Sequence, residues 1–215
     1  AGETLLIDKP PQWTSFKVVH TIRKAINVKR VGHTGTLDPL ATGLLIILTG
    51  RNTKLMMNFE GLSKTYTGTI LLGKSSPSMD TETEIMDRDL PKNLNDNLMF
   101  KTRDTFLGNI EQIPPMYSAL KVDGKKLYDL ARKGKEVERK PRKVYISRFE
   151  ITRIDIPEVH FDITCSKGTY IRVIANDFGE KLGCGAVLRK LRRTAIGDYS
   201  INDALSVEEF VQNII

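Results

Sequence analysis

Val31-Gly32-His33-Thr34-Gly35-Thr36-Leu37-Asp38-Pro39-Leu40-Ala41-Thr42-Gly43 runs directly into Leu44-Leu45-Ile46-Ile47-Leu48. Glycines at 32, 35 and 43 permit backbone conformations closed to other residues, and Pro39 restrains Asp38 to an extended or turn geometry. The stretch therefore reads as a fixed loop feeding a buried strand. Its only carboxylate is Asp38. His33, Thr34, Thr36 and Thr42 offer hydrogen bonds around that acid, while Leu37 and Leu40 anchor the loop in the core. A bare Gly-Asp-Pro cluster would be an ordinary turn with a capping Asp; the full thirteen-residue stretch is far more specific.

Upstream, the apolar run 4–7 ends in Asp8-Lys9-Pro10-Pro11, a strand leaving into a rigid turn that fixes Lys9 at the strand end. Thr14 or Ser15 can cap a helix whose apolar positions Val18, Val19, Ile22, Ala25 and Ile26 follow helical spacing. Downstream, residues 44–49 form a continuous apolar strand too buried to alternate. A short helix is expected over 53–59 and a strand carrying Tyr66 over 64–73. Residues 75–89 are polar and acidic. Paired carboxylates there would suit glycoside hydrolysis only in environments that drive their pKa values apart, so Asp80, Glu82 and Glu84 read as surface acids on a loop. Residues 95–107 have helical spacing, and 113–121 read as a turn and a return strand.

The chain has 215 residues, 40% of them hydrophobic, enough for one large domain or two small ones. Its net charge of +7 is concentrated: residues 121–148 hold eleven Lys and Arg against four Asp and Glu, an excess equal to that of the whole chain. With Tyr117 and Tyr128 beside so many cations, phosphate contact is a better reading than a solvated face. The middle of this segment, 127–134, reads as a short helix ended by Gly134. Cys165 and Cys184 lie outside any metal-ligand spacing and read as reduced core thiols, so no metal is expected. Gly32-x-x-Gly35 lacks the Lys-Ser/Thr ending of a phosphate loop, and there is no dinucleotide fingerprint. No apolar run approaches the roughly 20 residues of a membrane span and no signal peptide opens the chain, which points to the cytoplasm. Residues 144–151 and 159–165 alternate with period two, as half-buried strands do. The second leads into Ser166-Lys167-Gly168-Thr169-Tyr170-Ile171-Arg172, where a helix to about residue 182 would put Arg172 in its first turn. Residues 206–214 read as a closing helix.

The loop around Asp38 resembles the catalytic motif of the tRNA pseudouridine synthase B (TruB) family, G-H-T-G-T-L-D-P-x-A-T-G. Other segments resemble that family in the same order: Asp8-Lys9-Pro10 and its helix, Lys64-x-Tyr66, the run from Pro115 to Gly134, Gly168-Thr169-Tyr170-Ile171-Arg172, and Gly183 to Thr194. The resemblance implies an α+β pseudouridine synthase fold, a mixed, mostly antiparallel sheet flanked by helices. It implies one catalytic domain over 1–215 with an RNA-gripping insertion at about 114–143, without the small C-terminal RNA-binding domain that many members carry. The implied reaction isomerises uridine to pseudouridine in the tRNA T-loop, at the position conventionally numbered 55, with no cofactor. By resemblance Asp38 is the catalytic carboxylate and Arg172 its partner. Tyr66 stacks on the flipped-out uracil, Tyr170 and Leu191 wall its pocket, and His33 contacts the RNA beside it. Lys9, Arg132, Lys133, Arg142 and Lys143 are expected on the RNA backbone. The partner is the tRNA T-stem-loop, and a monomer is expected. Two other functions stay open: a guide-RNA-dependent pseudouridine synthase, and a tRNA-folding or RNA-binding protein with incidental catalysis. Whether Asp38 forms an ester with C1′ or stabilises a cationic sugar is also open.

Overall fold

Strand β3 (Thr42–Thr49) is buried on both sides. Leu44, Ile46 and Leu48 belong to one apolar cluster, and Leu45 and Ile47 to another, which is why the run does not alternate in sequence. The structure, a computed structural model, describes residues 2–122 and 124–214; Asp123, within the basic segment, lies outside them.

Ahead of β3 come β1 (Thr4–Lys9), α1 (Ser15–Ile26) and β2 (Val31–His33). After it follow a 3-10 turn (Gly50–Leu55), α2 (Met56–Glu60), β4 (Lys64–Leu72), β5 (Lys74–Ser75), β6 (Met86–Asp87), α3 (Asp96–Asp104) and β7 (Gly108–Gln112). Next are β8 (Lys121–Val122), β9 (Lys125–Lys126), α4 (Leu127–Ala131), β10 (Arg142–Asp155), β11 (Glu158–Cys165) and α5 (Ile171–Lys181). The chain closes with β12 (Ala186–Ile196), β13 (Tyr199–Ser200), a second 3-10 turn (Ile201–Asp203), β14 (Leu205–Ser206) and α6 (Val207–Gln212). The expected mixed, mostly antiparallel arrangement is found.

The chain divides into two compact units, neither of them contiguous. Unit 1 takes the chain up to Gly68, Asp162–Lys167 and the chain from Lys190; unit 2 takes Thr69–Phe161 and Gly168–Arg189. β4, β11 and β12 each give residues to both.

In unit 1, β1 and β2 both run antiparallel to β3, while β12 joins β3 in parallel through Arg192↔Thr42 and Arg193↔Gly43. Helix α1 begins because the Thr14 side chain accepts the Lys17 N–H at 3.0 Å, and it stops at Asn27 in the left-handed region. Its Val18, Val19 and Ile22 pack with Ile7, Leu45, Ile47, Val207 and Phe210 over one face of the strands. Leu44, Ile46, Leu48, Phe59 and Ile196 fill the other face. Gly43, at φ +104°, could carry no side chain: an added Cβ would meet the Arg193 carbonyl oxygen at 2.2 Å.

In unit 2, β7 and β10 pair antiparallel, and Phe106, Phe149, Phe161 and Phe178 pack ring against ring with centroids 6.1–6.3 Å apart. The return strand expected over 113–121 does not form as such. Pro114 and Pro115 lack the N–H groups a ladder needs, and the chain turns instead, with Ser118 N–H on the Met116 carbonyl at 2.9 Å. Only Lys121–Val122 is extended, paired with β9.

Candidate active site

The Asp38 loop is fixed almost entirely through its backbone. Ser15, at the start of α1, accepts the Leu37 N–H at 2.9 Å and donates its hydroxyl to the Leu37 carbonyl at 3.1 Å. On the far side of the acid, the Pro39 carbonyl accepts the Gln12 N–H at 2.8 Å and the Lys9 ammonium at 3.3 Å. The loop then closes on itself with Ala41 N–H to the Asp38 carbonyl at 3.0 Å. Leu37 and Ala41 are buried and Asp38 is half-exposed, so its neighbours are immobilised while its carboxylate keeps access to a ligand. The sequence reading of a rigid loop around a single acid describes what the structure contains.

Among the described residues of unit 1 three cations are buried, Lys9, Lys64 and Arg193, and two of them, Lys9 and Arg193, bond the backbone of this loop. Lys9 was expected on the RNA backbone, but it is fully buried and its ammonium donates to the Pro10, Trp13 and Pro39 carbonyls at 3.0, 2.6 and 3.3 Å. It is a brace of the loop, because a short strand-to-turn connection points it inward. Burial pulls its pKa down to about 8, against the opposing pull of the Asp38 carboxylate and with the aid of Arg193. Lys64 caps the end of α2 on the Glu60 and Leu62 carbonyls, both at 2.7 Å, and its pKa is lowered by burial and by Arg193.

His33 is half-buried at the end of β2, and its Nδ1 accepts the Gly35 N–H at 3.3 Å. Burial first and Arg193 second hold its pKa below the usual value, so the ring is neutral at pH 7. Tyr66 is buried; its phenol pKa is raised chiefly by burial, opposed by the charge and hydrogen bond of Arg193, and it feels the Asp38 charge. Leu191 is half-buried on β12. The structure thus brings Asp38, His33, Tyr66 and Leu191 into one unit, with Lys9 beneath the loop.

Arg193 was not singled out in the sequence, where it ends the run Arg189-Lys190-Leu191-Arg192-Arg193 and looks like more surface charge. A strand alternates faces, and two adjacent arginines cannot both point outward. Arg192 takes the outer face, with a bidentate pair to Asp8 at 3.1 and 2.7 Å. Arg193 is 1% exposed and donates to the Leu44 carbonyl at 2.7 Å and the Gly35 carbonyl at 3.0 Å.

Unit 2 holds the remaining expected residues. Arg172 sits in the first turn of α5, buried, with its guanidinium on the Ser78 and Tyr117 carbonyls at 3.0 and 2.8 Å. Its ion pair within this unit is with Asp80, at 3.5 Å. That corrects the reading of Asp80 as a surface acid: it is 1% exposed and also accepts the Ser78 hydroxyl at 2.5 Å and the Glu82 N–H at 2.9 Å. Its neighbours Glu82 and Glu84 are exposed, as expected. Tyr170 precedes α5 and is tied to Gln112 by two hydrogen bonds, at 3.0 and 3.2 Å. Arg132, Lys133, Arg142 and Lys143 are all exposed, with the Arg132 guanidinium 5.2 Å from the Tyr128 ring centre. Tyr128 stands edge-on to Tyr117 and donates its hydroxyl to Glu82 at 2.7 Å. Among the described residues no cluster of His, Cys, Asp and Glu could hold a metal ion, and no helix is long and apolar enough to cross a membrane.

Comparison with known proteins places these residues in context. A family model described as the TruB family pseudouridylate synthase N-terminal domain matches residues 23–171. A second, described as the tRNA pseudouridylate synthase B C-terminal domain, matches residues 172–215. The tRNA pseudouridine synthase B of Flavobacterium johnsoniae is 47% identical over 221 residues, covering 99% of this chain and 96% of the relative. That of Chlorobaculum tepidum is 51% identical over 219 residues, covering 99% and 91%. Among solved structures, a chain of a Cbf5-Nop10-Gar1 complex superposes with a TM-score of 0.75 at 25% identity. The match covers 97% of this chain and 53% of that one, so this chain spans about half its length.

Proposed function

The chain belongs to the TruB family of pseudouridylate synthases, and from that premise we propose that Asp38 is the carboxylate on which its chemistry turns. The protein isomerises uridine to pseudouridine in tRNA. The reaction breaks the bond between C1′ and N1, turns the uracil while it stays bound, and joins C5 to C1′, with the C5 proton lost and N1 taking up a proton, so that the product is an isomer. The observation that supports the assignment is the immobilisation of the Asp38 loop from both sides, by Ser15 on Leu37 and by Gln12 and Lys9 on Pro39. A fixed acid can attack C1′ or stand against a developing cationic sugar without reorganising, and that preorganisation lowers the barrier in either mechanism.

A uridine in a structured loop is reached only after it leaves the stack. Tyr66 offers a ring face and Leu191 an apolar wall beside Asp38, and neutral His33 offers a polar contact to the neighbouring RNA. Arg132, Lys133, Arg142 and Lys143 take phosphates. The proposed target is the uridine numbered 55 in the T-loop, handled by a monomer, without guide RNA, in the cytoplasm.

The test is to incubate the purified chain with unmodified tRNA and no guide RNA, then map pseudouridine by position. Modification confined to position 55 is expected. Modification that appears only when a guide RNA is added would transfer the chain to the guide-dependent branch, and binding without modification would leave an RNA-binding protein.

A further inference from the structure

We propose that Arg193 is a positioning residue for the isomerisation: its one planar guanidinium holds the strand that carries the Asp38 loop and the loop itself in a single register. The inference rests on the reading that Asp38 and Tyr66 face the flipped uridine. Nε donates to the Leu44 carbonyl at 2.7 Å and Nη2 to the Gly35 carbonyl at 3.0 Å. These acceptors belong to β3 and to the loop three residues before Asp38. The Arg193 backbone takes part as well. It pairs with Gly43, where the loop ends, so closely that no side chain fits between them.

Stability alone does not call for such a group. A buried cation loses its hydration, and neutral carbonyl acceptors return less of that loss than a carboxylate would. The two directions of donation do follow from the shape of arginine, whose donors form a rigid planar fork, whereas a lysine ammonium is a point charge on a flexible stem. A fork that spans two acceptors fixes their separation, and rate depends steeply on such separations when a base must be held against a carboxylate. The charge of Arg193 also reaches Lys9, His33, Lys64 and Tyr66, so the side chain lies at the centre of the unit's buried polar groups.

The test compares Arg193→Lys and Arg193→Met with the wild type in the full chain, on unmodified tRNA. It measures tRNA affinity by titration, modification by single turnover with enzyme in excess, and thermal unfolding. Both variants are expected to bind tRNA within about threefold of wild type and to modify it about a hundredfold more slowly at a temperature where they are folded. A Lys variant within threefold of the wild-type rate, or one whose tRNA affinity falls as far as its rate, would overturn the positioning role. Since the Lys variant is read by itself, an unfolded Met variant does not decide the matter. A wild type that binds tRNA and never modifies it would overturn the functional reading beneath the proposal.

Discussion

The loop that carries Asp38 and the arm that carries Arg132 and Lys133 are both short and irregular, yet they are held by opposite means. Around Asp38, buried side chains bond the backbone on each side of the acid: Ser15 on Leu37, Lys9 on Pro39, Arg193 on Gly35. In the arm, α4 is anchored by buried Leu127 and by the Tyr128 hydroxyl on Glu82, while the cations themselves point into solvent. The difference follows from what each does. An acid that meets one atom of a sugar needs a fixed position, whereas a cation that meets a phosphate needs only to be near one, and the interaction tolerates its flexible stem.

This contrast breaks first, and most completely, at Asp38. Asp38→Asn keeps the size of the side chain and the loop's backbone bonds but removes the charge, so single-turnover modification should fall by about a thousandfold or more. tRNA affinity, measured by titration, should stay within about threefold, since phosphate contacts and the stacked base do not need that carboxylate. Near wild-type turnover would remove Asp38 from the mechanism; loss of binding as well would make it a structural residue of the loop.

Arg172→Ala tests whether unit 2 contains a fixed core of the same kind. It takes the cation away from buried Asp80 and two donors from the Ser78 and Tyr117 carbonyls, and should destabilise the fold by about 3–5 kcal/mol. Denaturant unfolding reads this directly. Adding Asp80→Asn should recover part of the loss, because the stranded charge is then gone; strictly additive losses would mean that the two residues do not act together.

The smallest effect is expected from the arm. Replacing Arg132, Lys133, Arg142 and Lys143 with Gln should weaken tRNA binding and reduce the slope of log affinity against log salt by about 0.7–0.9 for each phosphate no longer neutralised. Turnover of bound tRNA should be nearly unchanged. An unaltered salt slope would show the arm to be a solvated face.

Much of unit 1 was legible in the sequence, for local reasons. The run from Leu44 to Leu48 could only be a strand covered on both sides, Thr14 and the spacing of Val18, Val19 and Ile22 specify α1, and the Gly and Pro residues around Asp38 specify a rigid loop. What was not legible depends on partners far along the chain. Asp80 sits among exposed acids, and its burial is decided by Arg172, 92 residues on. Lys9 resembles any cation after a strand until the carbonyls of Trp13 and Pro39 are seen to converge on its ammonium. Arg193 was hidden among four other residues of a basic run, although strand alternation was a signal that one of two adjacent arginines must turn inward. Pro114 and Pro115 are the one local signal against a return strand there, since neither has an N–H to give a ladder.

The bond from Arg193 to Gly35 spans 158 residues of chain. A ribosome adding about 5–20 residues per second needs about 8–32 s to make that much protein. Through all of that time the Asp38 loop has its Ser15 and Lys9 bonds but not the one from Arg193, and β3 waits for the strand that pairs with it through Arg193 and Gly43. A nascent chain therefore acquires this bond only once residue 193 has been made.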